Sequence, residues 1–263
     1  MGKNINKKRV LIAGCYGDFA TAVTKKLHSE GYDLLLLGRN REKFIEKYKE
    51  NDLLSLENVF FECDVSEEKQ LLDLEKNNKG LLTNLYGIVN LVAFEAYSEP
   101  LLNTELDVWN KCLKVDLNSV FLACKIFGKY LVNNNEGSIV NFTSFHNYGT
   151  YPNRVLYNVA KSAVEGLTRS LAVEWGQYNI RVNTLAPGPI YSTRTKFFLS
   201  KNPDVKKLML GRTPLSRIGE LDDISNYVNF LISNDSRHVT GVQHRIDGGW
   251  SVNNSFEVFD EKK

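Results

Sequence analysis

Seven short runs, most of them apolar at consecutive positions, separated by longer amphipathic stretches constrain this 263-residue chain more than any other feature. The runs are RVLIAG (9–14), DLLLLGR (33–39), VFFECDV (59–65), YGIVNLVA (86–93), GSIVNFTS (137–144), IRVNTLAP (180–187) and GVQHRIDG (241–248). A strand that is apolar at consecutive positions is buried on both faces, as in parallel sheets covered by helices on each side. Between the runs, helical patterns rich in Ala, Glu, Lys and Leu lie near 18–30, 41–50, 66–78, 105–132, 157–177 and 221–233. This alternation predicts a doubly wound α/β fold with a seven-stranded parallel sheet and helices on both faces. No repeat, low-complexity tract or proline-rich linker divides the chain, so residues 1–263 read as a single domain. The stretch 188–214 breaks the rhythm. It is long for a connection and follows a strand's C-terminal end, where the crevice of an open α/β sheet lies, so residues 190–213 read as a substrate lid.

Charge and composition exclude several classes. Lys and Arg number 33 against 31 Asp and Glu, a formal net charge of +2, so no strong field points to nucleic acid or an anionic membrane. The basic opening KNINKKR reads as a solvated lead-in to the first strand and lacks the apolar core of a secretory signal. The apolar run LLLL (34–37) is far too short to span a bilayer. Cys15, Cys63, Cys112 and Cys124 are scattered without metal-ligand spacing and fit reduced thiols in a cytoplasmic protein. Neither H-E-x-x-H nor G-x-S-x-G occurs, which counts against a zinc peptidase and a nucleophile-elbow hydrolase.

The first run ends in AGCYGDFA (13–20), with Gly14, Gly17 and Ala20 at a G-x-x-G-x-x-A spacing. Gly14 suits a tight turn, Gly17 lets backbone approach a ligand, and Ala20 allows close helix–strand packing. The helix that follows offers free N–H groups and a partial positive charge to an anion. Asp18 admits two readings: a carboxylate repelling a pyrophosphate by roughly 1–4 kcal/mol, or a helix N-terminal residue that caps free N–H groups with its side chain turned away. At the end of the second run, Asp33 is at the wrong end to bind a ribose, whereas Arg39 and Asn40 stand at the right one. Arginine suits the 2′-phosphate of NADP(H), so that cofactor is favoured while NAD(H) stays open.

YNVAK (157–161) places Tyr157 and Lys161 at i and i+4 on one helix face, and Ser144 ends the strand thirteen residues before Tyr157. A phenol with a pKa of about 10 is a poor acid–base group at neutral pH. An adjacent ammonium stabilises its ionised form. Ser144 would orient a substrate oxygen beside Tyr157, giving hydride chemistry on a ketone or secondary alcohol.

These motifs together resemble the short-chain dehydrogenase/reductase family, in the single-domain Rossmann-type branch that includes 3-oxoacyl-acyl-carrier-protein reductases, over about residues 8–252. The resemblance implies a catalytic set of Ser144, Tyr157 and Lys161, with Asp116 of KVDLNSVF where the family has an asparagine. It implies cofactor contacts from Gly14, Tyr16, Gly17, Asp18, Phe19, Arg39, Asn40, Asp64 and Val65. It further implies contacts from Asn90, Val92 and Ala93 of NLVA, from Tyr157 and Lys161, and from Pro187, Gly188, Ile190 and Ser192 of NTLAPGPIYS. Substrate contacts fall on Ser144, His146, Tyr151 and Tyr157, with Phe94, Tyr97, Phe145, Tyr148, Tyr191, Phe197 and Phe198 in the same segments. A homotetramer or dimer paired through the helices near 105–132 and 157–177 is implied as well.

Three departures mark this chain: Asp18 and Ala20 in the turn, NLVA in place of N-N-A-G, and Asp116. An ionised aspartate accepts hydrogen bonds and cannot donate them, so Asp116 either keeps Lys161 protonated or disturbs the family's water chain. These departures motivate a rival reading, a catalytically weak or inactive dinucleotide sensor. A third is an epimerase or dehydratase that retains its cofactor.

Overall fold

A computed structural model describes residues 7–49, 53–94 and 98–254. Its strands are β1 (Arg9–Ala13), β2 (Asp33–Gly38), β3 (Phe60–Glu62), β4 (Leu85–Asn90), β5 (Gly137–Phe142), β6 (Ile180–Pro187) and β7 (Gln243–Ile246). They form one parallel sheet in the order β3-β2-β1-β4-β5-β6-β7. The order reverses between β1 and β4, which opens a crevice at their C-terminal ends.

The helices are α1 (Asp18–Ser29), α2 (Arg41–Lys49), α3 (Glu68–Asn77), α4 (Lys79–Leu82), α5 (Leu106–Leu113), α6 (Ser119–Asn134), α7 (Val155–Trp175), α8 (Thr193–Lys201), α9 (Pro203–Arg212) and α10 (Leu221–Ile232). Successive strand side chains point to opposite faces. Val10 and Ile12 of β1 therefore pack with Val23 and Leu27 of α1, Phe44 of α2 and Val228 of α10. Leu11 and Ala13 pack with Leu71 of α3, Phe127 of α6 and Val164 of α7. Two apolar layers back to back explain the consecutive apolar residues of β1, β2 and β4, whereas β7 at the sheet's edge is largely polar and only partly buried.

Two local features bear on the crevice. The sequence pattern predicts one helix over 105–132, but α5 and α6 are joined by a π-turn, Lys114–Asn118. Such widened turns gather at functional sites, and this one carries Asp116. Beneath the first glycine turn, the Tyr48 hydroxyl of α2 donates to the Cys15 carbonyl at 2.9 Å, and it lies 2.9 Å from the Thr24 hydroxyl of α1. Tyr48 is fully buried and braces the turn from below.

Replacing Tyr48 with Phe is expected to lower unfolding free energy by about 1–3 kcal/mol, because a buried acceptor loses its donor. Urea unfolding checks this; a variant as stable as the parent contradicts the bracing role.

Candidate active site

Gly14, at φ +84°, takes a left-handed conformation that strains other residues, and an added Cβ would sit 2.9 Å from Val92 N. Gly17 is different. Its backbone is extended and a Cβ there would meet nothing within 4 Å. Open space above Gly17 leads onto the N-terminus of α1, where no side chain caps the free N–H groups. This cradle fits an anionic pyrophosphate.

Asp18 does not cap its own helix, so the capping reading needs correcting. Its Oδ1 pairs with Lys47 Nζ of α2 at 2.9 Å, and its Oδ2 accepts from Thr193 N, the first residue of α8, at 2.6 Å. Its side chain is turned away as expected, but it caps the lid helix 175 positions along the chain. Burial works against the ionised carboxyl, yet Lys47 and Thr193 outweigh burial and hold it below the usual carboxylate range. The cation beside it offsets the repulsion that a bare aspartate would impose on a phosphate.

Tyr16 accepts from Arg39 N at 2.6 Å and fixes the end of β2 beside the turn. The Arg39 side chain is exposed, with Nη1 3.8 Å from Asp64 Oδ2. Asp64 is itself oriented by the Ser66 N–H at 2.9 Å and the Ser66 hydroxyl at 2.7 Å. Asp33 pairs with Arg9 at the far end of the sheet, as its place in the sequence requires. Asn40 Oδ1 accepts from Lys43 N, so its side chain caps α2. Val65 is buried in the core and Phe19 packs near Phe142, with ring centroids 6.2 Å apart. Asn90 donates to Asn141 Oδ1 at 2.7 Å and ties β4 to β5 from inside the sheet.

On the nicotinamide side, Val92 and Ala93 follow β4. Gly188 N donates to Ile246 O, and Ile190 bridges to Gly219. Ser192 is the N-cap of α8, accepting from Thr195 N at 3.1 Å.

Ser144, Tyr157 and Lys161 come together at the crevice. Ser144 Oγ accepts from His146 N at 3.2 Å, and the His146 ring stands edge-on to Tyr157 at 5.8 Å. His146 thus links the serine to the tyrosine. Burial, then the Arg154 charge, holds its imidazole down to about 4, so it is neutral at physiological pH. Lys161 Nζ lies 5.7 Å from the Tyr157 ring centroid.

Lys161 and Asp116 form a buried ion pair at 3.0 Å. Asp116 Oδ1 also accepts from Phe94 N at 3.1 Å, and its Oδ2 accepts from Cys112 Sγ at 3.7 Å. Burial disfavours the ammonium, but Asp116 leads the groups that outweigh it, and Lys161 is held above its ordinary value. Burial, then Asp116, pushes the Cys112 thiol up to about 12, which keeps it a donor. Asp116 thus pairs with Lys161 and favours its charged form.

Tyr151, partly exposed, meets the His146 ring at 5.0 Å. Tyr97 lies outside the described residues. Lys47, Tyr48, Thr193, Arg154 and Arg212 also belong to this region but carry no motif, and Trp250 closes the RIDGGW segment (245–250). Their partners are distant in sequence, so no spacing rule exposes them.

A sheet that reverses at a phosphate cradle, with serine, tyrosine and lysine at the same edge, defines a nicotinamide-dependent oxidoreductase. The family described as enoyl-(acyl carrier protein) reductase matches residues 17–251. The chain is 28% identical over 251 residues to a probable 2,4-dienoyl-CoA reductase of Bacillus subtilis (strain 168), covering 95% of this chain and 98% of that one. It is 31% identical over 217 residues to a 7alpha-hydroxysteroid dehydrogenase of Paraclostridium sordellii, covering 80% and 78%. The solved structure of ElxO with NADP bound superposes with a TM-score of 0.84 at 26% identity, covering 93% and 98%. The chain belongs to the short-chain dehydrogenase/reductase family, and its activity is NAD(P)-dependent hydride transfer.

Asp116→Ala strands a buried ammonium and is expected to cost about 3–5 kcal/mol of stability. Asp116→Asn, which keeps an acceptor for Lys161 and Phe94 N, is expected to cost less. Urea unfolding of both variants checks this; an alanine variant within about 1 kcal/mol of the parent contradicts the pairing.

Proposed function

We propose that this protein is an NADP(H)-dependent reductase of a small-molecule ketone, or the corresponding secondary-alcohol dehydrogenase, working in the cytoplasm as a homo-oligomer. The observation that carries the reading is the convergence of Ser144, Tyr157 and Lys161 at the sheet edge that holds the cradle. NADPH, when bound, supplies the hydride. Ser144 orients the substrate oxygen, and Tyr157 gives its phenolic proton to that oxygen. Lys161 stays charged beside the Tyr157 ring, positioned by Asp116. Gly14, Gly17 and the N-terminus of α1 would hold the pyrophosphate, and Arg39 would hold the 2′-phosphate.

Asp18 and Asp116 are the main residues that motivate a non-catalytic sensor, and both are paired, so the catalytic reading is preferred. The four cysteines are free and buried, in keeping with a reducing compartment. No helix among the described residues is long and apolar enough to cross a membrane. Exposed Leu106 of α5, Phe121 of α6 and Val159 and Val173 of α7 leave apolar surface on the helices expected to pair subunits.

Tyr157→Phe is expected to abolish NADPH-linked ketone reduction while NADPH still quenches or enhances fluorescence on binding. Arg39→Ala is expected to lower the preference for NADPH over NADH at least tenfold, about 1.4 kcal/mol. Turnover by the phenylalanine variant, or an unchanged cofactor ratio, overturns the respective assignment. Product formed without net change in NADPH absorbance points to the epimerase or dehydratase instead. Light scattering is expected to give two or four times the 29.9 kDa chain mass; the single chain mass contradicts the oligomer.

A further inference from the structure

Aromatic rings cluster beyond Tyr157, and Arg154 at the start of α7 and Arg212 at the end of α9 flank them in the chain. The His146 ring meets both Tyr157 and Tyr151, and Phe145 meets the edge of Trp250 at 6.1 Å. Arg154, immediately before α7, is close enough for its charge to act on His146. Arg212, the last residue of α9, lies over the Trp250 ring at 4.9 Å, and its charge acts on Tyr151. Stacking fixes a guanidinium plane while leaving N–H donors at its edge free.

Two acids on this side, Glu165 and Asp247, are engaged elsewhere. Glu165 holds Arg169 at 2.6 Å and Asn147 at 3.3 Å. The Asp247 carboxylate accepts from Gly249 N and Ser251 N. Arg245, the other cation on this side, lies over Tyr148 at 4.3 Å. Among the described residues no carboxylate pairs with Arg154 or Arg212. Residues 193–212 of the lid contain six basic residues and one acidic residue, although the whole chain is only +2. A pocket for a neutral ring needs no such arrangement, since like charges at its mouth repel one another.

Resting on the proposed reductase activity, we infer that the substrate is an anionic ketone, its carboxylate or phosphate held by Arg154 and Arg212 while its carbonyl faces Ser144 and Tyr157. The anion and the carbonyl are separated by the span of the His146 and Tyr151 rings, so the substrate is extended and its middle is apolar. The carbonyl carbon accepts a hydride from NADPH and the oxygen a proton from Tyr157, giving an alcohol and NADP⁺. Neutral His146 adds no third charge and lines the path between the two ends.

The test uses the full chain with NADPH and four ketones: 7-oxooctanoate, its methyl ester, 5-oxohexanoate, and 6-oxoheptyl phosphate. The ratio of kcat/KM for 7-oxooctanoate to that for its ester is expected to be tenfold or more. It is expected to fall below twofold in the Arg154→Gln/Arg212→Gln double variant, and Arg212→Lys is expected to keep most of it. The phosphate and the shorter acid then distinguish the kind of anion and the reach. Equal rates for acid and ester, or a ratio that survives the double variant, overturn the inference. Titration of the NADPH complex by fluorescence supplies a second readout. Tighter binding of the acid without turnover keeps the anion site and counts against the reductase reading, whereas turnover with no charge preference does the reverse.

Discussion

The buried pair of Lys161 and Asp116 is the interaction on which the site depends. Three elements meet there: α7 brings the lysine, the π-turn between α5 and α6 brings the carboxylate, and the segment after β4 brings Phe94 N. A lone ammonium in that position would be forced towards its neutral form by burial. A lone carboxylate would meet the same penalty. Together, with the Phe94 N–H and the Cys112 thiol donating to the same carboxylate, they form one buried cluster in which Asp116 holds Lys161 above its ordinary value. The pair joins α7, which carries Tyr157, to the π-turn between α5 and α6.

A second pairing joins the two ends of the cofactor region. Asp18 connects α1 to α2 through Lys47 and to the lid through Thr193 N. An aspartate in a phosphate turn looks like a defect when only its neighbours in sequence are considered. In three dimensions its charge is compensated, and it anchors the start of α8 where Ser192 already caps the helix. The lid therefore leaves β6 in a defined direction, and α9 brings Arg212 back across Trp250.

Much of the fold is legible in the chain because parallel strands buried on both faces leave an unmistakable apolar signature. Each of the seven runs matches one strand, with β4 starting one residue before its run, and Asp33 and Arg39 fall at the ends of β2 that their positions require. Tyr157 and Lys161 are legible for a different reason: helical spacing places them on one face whatever the rest of the chain does. The π-turn is not legible: the apolar spacing of 105–132 continues through it, and the partner of Asp116 lies 45 residues away. The partners of Asp18 and the place of Trp250 against Phe145 are likewise hidden, since each depends on contacts between segments far apart in sequence.

The central claim is that this crevice moves a hydride to a carbonyl carbon while Tyr157 supplies the proton. Isotope tracing tests it most directly, with NADPH deuterated at nicotinamide C4 and a ketone substrate in ordinary water. The alcohol product is expected to carry one deuterium on the carbinol carbon, with one NADPH oxidised per product, and none of either with Tyr157→Phe. An alcohol that carries only solvent hydrogen at that carbon, or label transfer undiminished in the phenylalanine variant, would contradict it.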